Sequence, residues 1–288
     1  MKFALNYIDP EVQDIQNTKS FTDGIYIKYP GGKWDFETLR DLCDNNKKVV
    51  LHGIIPSSGS ILDPKLCDNM DEWAKFVEET NQSWLSFHLE HKPKYGNDLP
   101  YNDVLENNIA KIKNRFPNMP ILIENMPSVD NIEKWCSNAD LFRKVCEKYD
   151  LGMLLDIPHA LISAKNQNIH LEEYLDKFPL ERVKEIHMAG VSSMPDGNYY
   201  DSHIECGSNI YTILEHLLPK CKNLEMISLE YSPNRDYDGQ TYAADYRKKH
   251  SNEDIVFRQY KQLDKIQEVY YDYVHKKEIS KKNEEYER

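Results

Sequence analysis

The stretch "LLDIPHA", Leu154 to Ala160, decides how this chain is read. It begins as an apolar β-type run and ends in Asp156 and His159, two ionisable groups three positions apart. A charge taken out of water needs a partner, a hydrogen-bond network or a metal ion. The meaning of the run therefore depends on whether other strands end the same way.

Working outward, seven more β-rich runs appear: "FALNY" from Phe3, "GIYIKY" from Gly24, "VVLHGI" from Val49, "SWLSFHL" from Ser83, "ILIENM" from Ile121, "VKEIHMAG" from Val183 and "MISLEY" from Met226. With "GMLLDI" from Gly152 they make eight candidate strands. Most gaps carry helical patterns. "FETLRDLCDN" follows Asp35, a plausible N-cap. "MDEWAKFVEET" puts Met70, Trp73, Ala74 and Val77 on one face, and "NDVLENNIAKIKNRF" does the same with Val104, Leu105, Ile109 and Ile112. "NIYTILEHLL" and "VFRQYKQLDKIQEVYYDYV" follow, and "EVQDIQNT" is a weaker helix. This alternation predicts an α/β fold, a single-domain (β/α)8 TIM-type barrel over residues 1–276. A charged tail, 277–288, is expected to fray. Several runs are apolar on both faces, as strands covered by helices should be. The alternative is an open doubly wound sheet, but no G-x-G-x-x-G or G-x-x-x-x-G-K turn follows any strand.

In such a barrel the chemistry sits at the C-terminal strand ends. Strand three ends in His52, strand four in His88, strand five in Glu124, strand six in Asp156 and His159, strand seven in His187, and strand eight in Glu230. A loop after strand seven carries Asp201 and His203. Each alone has a plain structural reading: a hydrogen-bonded core histidine, a turn aspartate, half of an ion pair. Asn125 reads as a turn residue. Repetition changes the balance, because six consecutive strands end in His, Asp or Glu and converge on one mouth. No Arg or Lys stands at these ends. Four carboxylates without basic partners repel one another unless protons or cations are bound, and a metal cation also uses the five imidazoles. Nine N/O donors exceed the needs of one catalytic zinc and suit two or three ions sharing carboxylates. Imidazole and carboxylate without thiolate fit iron, manganese or zinc. No catalytic residue beyond the ligands is assigned. His91 and Cys206 are weaker candidates for the same pocket, and His170, His216, His250 and His275 read as surface.

Composition narrows the classes. The chain has 288 residues, 40% of them apolar, and a formal net charge of −12. The acidic balance argues against non-specific nucleic-acid binding. No run reaches the ~18 apolar residues of a membrane span, and the N-terminus lacks a signal-peptide pattern. Six scattered cysteines without a C-x-x-C pair point to a reduced, cytoplasmic protein.

The segments "HGIIPSSGS", "SFHL", "IENMP", "LLDIPHALISAKN", "IHMAG", "DSH" and "SLE", in this order from His52 to Glu230, resemble the DUF692 family of multinuclear non-haem iron-dependent oxidases (MNIO). The resemblance implies a TIM-type barrel with two or three irons cycling between Fe(II) and Fe(III). It implies dioxygen as co-substrate, a ribosomally made precursor peptide as substrate, often oxidised at cysteine, and a partner protein that binds the peptide leader. It makes His52, His88 and Glu124 ligands of one iron and Asp156, His159, His187, Asp201, His203 and Glu230 ligands of the others. Two positions depart: relatives often carry Asn where His159 stands and His where Val191 stands. Two other classes compete. One is a sugar isomerase or phosphodiesterase-type hydrolase using a divalent metal on a similar barrel; the other is a non-catalytic peptide-binding scaffold.

Overall fold

Eight short strands form one parallel sheet: β1 (Lys2–Asn6), β2 (Tyr26–Pro30), β3 (Lys48–His52), β4 (Leu85–His88), β5 (Ile121–Glu124), β6 (Gly152–Asp156), β7 (Val183–Met188) and β10 (Met226–Leu229). Their order is β3-β2-β1-β10-β7-β6-β5-β4, so the sheet curls nearly into a closed barrel with its seam between β3 and β4. The computed structural model describes residues 1–18, 25–30, 36–44, 48–53, 59–90, 101–128, 136–193, 197–233 and 249–286. The predicted N-cap Asp35 and the pocket candidate His91 lie outside them.

The seam is closed by side chain and loop. The Gln82 carboxamide accepts from Leu51 N and donates to Val49 O, both at 2.9 Å, doing for β3 what a neighbouring strand would. Ser60 bridges to β4: His88 N donates to Gly59 O and Ile61 N to His88 O, both at 2.9 Å. Gly59, at φ +66°, comes so close to Gly53 that a Cβ would lie 3.0 Å from its Cα.

Helices α1 (Pro10–Thr18), α2 (Phe36–Asp44), α3 (Met70–Glu79), α4 (Tyr101–Arg115), α5 (Ala139–Tyr149), α6 (Ile157–Asn166), α7 (Leu171–Asp176), α8 (Ser208–Leu217) and α9 (Asn252–Tyr286) complete the chain. α5 shows how local chemistry bounds them: Asn138 caps its start by accepting from Leu141 N, and Asp150 ends it in the left-handed conformation. Such a cap contributes about 1 kcal/mol. α9 takes in the charged residues from Lys277 to Tyr286. Its buried Gln259 donates to the carbonyl of Asn6 at 3.2 Å and accepts from Gln16 at 2.6 Å, tying the last helix to β1 and α1. No helix of the described residues is long and apolar enough to cross a membrane, and the six cysteines are free thiols.

Strand side chains alternate between faces, and this sorts the barrel into two cores. Outward residues such as Leu5, Ile27, Leu51, Phe87, Ile123, Leu155, Ile186 and Leu229 pack with the helices. Inward ones form a separate apolar floor of Ala4, Val50, Trp84, Leu122, Leu154 and Met226. One step above it on the same inward face stand Lys28, Ser86, Glu185 and Ser228, all buried and polar. The next step carries the strand-end residues.

The connection after β7, expected to be a loop, is a hairpin. β8 (Gly190–Ser193) pairs antiparallel with β9 (Tyr199–Ile204), and the register slips between Gly190 and Val191. A "DG" pair at Asp196–Gly197 between β-prone runs is the turn signal that announces it. The slip is a bulge, and His203 within it takes φ +49°. That conformation is uncommon for a non-glycine residue and costs on the order of 1 kcal/mol. It is an expense found where a strand must re-aim a side chain.

Candidate metal centre

β6 runs straight into α6 without a loop. Asp156 ends the strand and caps the helix: its Oδ1 accepts from His159 N at 2.6 Å, and Pro158 occupies the first turn, where its missing N–H is no loss. His159 therefore stands one turn above Asp156 over the same mouth. Asn125, read from sequence as a turn residue, locks this junction. Its amide donates to Asp156 O and accepts from Asp156 N, both at 2.9 Å.

Three imidazoles are held by one nitrogen and present the other. His159 Nδ1 lies 2.8 Å from Asn125 O and His203 Nδ1 lies 2.9 Å from Glu230 O. A carbonyl only accepts, so each Nδ1 carries a proton. His52 Nδ1 is 3.0 Å from the Ser86 hydroxyl. The Nε2 atoms turn inward. Those of His159 and His203 lie 3.2 and 2.8 Å from Asp201 Oδ2. Two lone pairs then face one carboxylate oxygen, and a shared cation or extra protons must sit among them. Fixing the outer nitrogen to a backbone oxygen is the usual support of a metal-binding histidine.

All nine predicted residues meet in one cup. His52 Nε2 lies 3.0 Å from His88 Nε2 and 3.0 Å from Glu124 Oε2, and His88 Nε2 is 3.3 Å from the same oxygen. Donors at about 2.1 Å from one ion, at right angles, lie about 3.0 Å apart, so this triad has the spacing of a coordination sphere. The other Glu124 oxygen reaches His187 Nδ1 at 3.3 Å and His159 Nδ1 at 3.5 Å. His187 Nδ1 is also 3.7 Å from Asp156 Oδ2 and 3.5 Å from Glu230 Oε1. Two subsets, His52–Glu124–His187 and Glu124–Asp156–His187–Glu230, have donor atoms close enough to share an ion. Glu124 Oε2 and Asp201 Oδ1 are buried and accept no hydrogen bond among the described residues. The donor set fits bound cations.

The expectation that no basic side chain reaches these carboxylates is overturned. Lys28, in the middle of β2, is fully buried. Its Nζ pairs with the Glu230 carboxylate and lies 2.7 Å from His187 Nε2. Reading only strand ends hides it, whereas inward alternation in "YIKY" exposes it. Glu185, two positions before His187 on the same face, was missed likewise. It lies 3.2 Å from His187 Nε2 and accepts from Ser228 Oγ at 2.6 Å and Trp84 Nε1 at 3.0 Å.

The field in the cup pulls protonation apart. Burial opposes charge on Glu124, yet His52, His187 and His88 hold its carboxyl well below the usual range. Burial pushes Asp156 up and His52 down, with Lys28 adding to the latter. Burial disfavours a charged His159, but Asp156 and Asp201 push it up to about 10. His88 and Asp201 are the most open members, with side chains 22% and 13% exposed, so the cup opens on their side. Cys206 stays off the cup's donor set; its thiol is raised by burial. His170, one of the four expected on the surface, is exposed.

A family model described as the RiPP precursor modification enzyme MbnB/TglH/ChrH matches residues 25–236. A UPF0276 protein of Rhizobium meliloti is 31% identical over 160 residues, covering 51% of each chain. One of Anaeromyxobacter sp. is 28% identical over 172 residues, covering 54% of this chain and 58% of its own. The chain thus matches little more than half the length of these curated relatives. A xylose isomerase domain containing protein from Salmonella typhimurium superposes with TM-score 0.61 at 11% identity, covering 92% of this chain and 97% of that one. The probable 3-DHS dehydratase AsbF from Bacillus anthracis superposes with TM-score 0.56 at 14% identity, covering 90% and 97%. At such identities these two show the barrel fold alone.

Proposed function

The chain belongs to the MbnB/TglH/ChrH family of RiPP precursor modification enzymes, and on that premise we propose that it is a multinuclear iron-dependent oxidase. It uses dioxygen to modify a residue, cysteine in our reading, of a ribosomally made precursor peptide. The observation that carries this is the convergence of five imidazoles and four carboxylates, with inward Nε2 atoms facing shared carboxylate oxygens.

His52, His88, Glu124, Asp156, His159, His187, Asp201, His203 and Glu230 would hold the ions. Bound iron would supply dioxygen binding and redox chemistry that no side chain provides. The chain's own part is positioning. Asn125 and Glu230 carbonyls and the Ser86 hydroxyl fix His159, His203 and His52, so their donor atoms need not reorganise on binding. Glu124 turns one oxygen to His52 and His88 and the other to His187, so it would help hold ions with donors on both sides of it. The apolar floor shuts the cup from below, leaving approach past His88 and Asp201. A leader-binding partner protein and a cytoplasmic setting belong to the same proposal.

The test is anaerobic loading with Fe(II), metal analysis, then dioxygen with a cognate peptide and its partner. Iron in the cup and a mass change in the peptide are expected. Colourless zinc or manganese protein, or an unaltered peptide beside an iron-loaded chain, would reject the oxidase.

A further inference from the structure

The nine candidate ligands leave one sector of the cup's wall without a donor, and Asn6 stands in it. They come from β3 to β7, the β8–β9 hairpin, the start of α6 and the residue after β10, and none comes from β1 or β2. β1 lies between β10 and β2. Ala4 belongs to the apolar floor while Phe3 and Leu5 pack outward. Asn6, two positions past Ala4 at the strand end, therefore faces into the cup. Its register partner on β2 is Lys28. On the other side Leu5 pairs with Leu229, which puts Asn6 beside Glu230. Its main chain is fixed, since Gln259 donates to its carbonyl at 3.2 Å. Its side chain is not: Asn6 is 1% exposed, and neither Nδ2 nor Oδ1 has a hydrogen-bond partner among the described residues. A buried carboxamide left in that state is costly, whereas a leucine of similar shape would carry no such penalty.

We propose that Asn6 binds the substrate peptide's main chain at the residue presented to the ions: Nδ2 donates to that residue's C=O and Oδ1 accepts from its N–H. The inference rests on the function proposed above and names a residue that grips its substrate. The chain uses this pairing elsewhere. Asn125 donates to the carbonyl and accepts from the N–H of one residue, Asp156, both at 2.9 Å. Gln82 does the same along β3 with Val49 O and Leu51 N. A carboxamide offers a donor and an acceptor side by side, which matches a peptide amide group for group. A metal ion would use Oδ1 alone and leave Nδ2 unmet. Depth agrees as well. Glu124 and Asp156 are also 1% exposed, so a side chain that reaches ions held by them descends to the level of Asn6. A cysteine side chain is short, and a sulfur brought to the ions brings its own N–H and C=O against the wall beside them. Because the contact is with main chain, it sets how deep and at what angle the residue sits, and leaves the choice of side chain to the rest of the cup.

The experiment titrates two thiols by calorimetry, without oxygen, into the Fe(II)-loaded full chain. N-acetylcysteine methylamide carries one residue's N–H and C=O; 1-propanethiol carries neither. Wild type is compared with Asn6→Leu and Asn6→Ala, iron content is measured in each, and the metal-free forms are melted in parallel. The wild type should prefer the amide thiol by about tenfold, the worth of two net hydrogen bonds. Both variants should lose that preference while keeping the wild-type iron content. Metal-free Asn6→Leu should melt no lower than wild type, because no partner is lost; an asparagine with a merely structural role would give a lower melting temperature. Equal affinities in the wild type, binding of neither thiol, or variants that keep the preference overturn the inference while the metal centre stands. Variants that lose iron would make Asn6 a metal ligand and overturn it too, and variants that fail to fold would make it structural. A wild type that takes up no iron removes the metal centre itself and the inference with it.

Discussion

Gly190→Ala tests whether the hairpin after β7 is what positions Asp201 and His203. Gly190 is buried at the start of β8, opposite Ile204. A Cβ there would lie 2.0 Å from Glu205 O and 2.6 Å from Glu205 C. Both are backbone atoms, so no side-chain rotation relieves the clash. Contacts under 3.0 Å are essentially never seen, so the strands must part by about 1 Å. Overpacking of this kind costs about 1–3 kcal/mol, or about 2–5 °C of melting temperature in a chain of this size. The same displacement carries Asp201 away from His159, while metal sites tolerate only about 0.2 Å of error. Metal affinity should fall about 10- to 100-fold, as when the support of a ligand is lost. Gly197→Ala, in the same hairpin, is the control. Its φ is +85° but nothing lies within 4 Å, so it should cost about 1 kcal/mol of strain and leave affinity unchanged. Calorimetry and chelator competition read both quantities. Wild-type melting and affinity in Gly190→Ala would refute the claim that the hairpin holds half of the cup.

Three further outcomes follow from buried groups. Glu185, held down to about 2 by His187 and Lys28 against the pull of burial, has a folded pKa below its unfolded one. Its contribution is present above about pH 4.5 and is lost as pH falls through about 2. In metal-free protein Glu185→Gln should lose on the order of 3 kcal/mol at neutral pH, with the gap to wild type closing in acid; a gap that persists at pH 2 would mean that the carboxylate's charge is irrelevant. Gln82→Leu strands Leu51 N and Val49 O, at about 1–3 kcal/mol each, and an unchanged denaturation midpoint would show that the seam is closed by something else. Burial pushes the Cys146 thiol up to about 12, so an alkylating reagent at pH 8 should leave it unlabelled until the protein is unfolded.

How much of this was legible depended on which periodicity was consulted. The eight strands announced themselves because a strand buried on both faces is apolar throughout, and the strand-end His, Asp and Glu broke that pattern where it could be seen. Lys28 and Glu185 broke it too, but inside the strands, where one polar residue among apolar neighbours reads as a tolerated exception. Only the inward alternation, Tyr26–Lys28 and Glu185–His187, assigns them to the cup. The hairpin was hidden for a different reason. Its sequence is polar and short, and the fold pattern calls for a helix after β7, so "DSH" read as loop although Gly197 marked the turn. The double duty of Asp156 could not be read from composition, because a strand that becomes a helix in one residue leaves no linker to notice. Asn125 was set aside as a turn residue, whereas its side chain holds the β6–α6 junction.

That double duty allows ligand and fold to be separated at one residue. The apolar packing that holds the chain together lies between sheet and helices, while the interior supplies only a small floor, so losing a donor from the cup should not unfold the protein. At Asp156 the argument meets a complication, since its Oδ1 also caps α6 through His159 N. Alanine removes cap and donor together, and a lost cap alone costs about 1 kcal/mol. Asparagine caps about as well as aspartate but brings no negative charge to a cation. Asp156→Asn should therefore melt close to wild type when both are metal-free, and above it if relieving the crowded carboxylates outweighs any lost interaction. Asp156→Ala should melt lower, and both should bind metal more weakly. If Asp156→Asn kept full metal affinity and only the alanine variant lost it, Asp156 would be a helix cap whose nearness to the imidazoles has no bearing on metal.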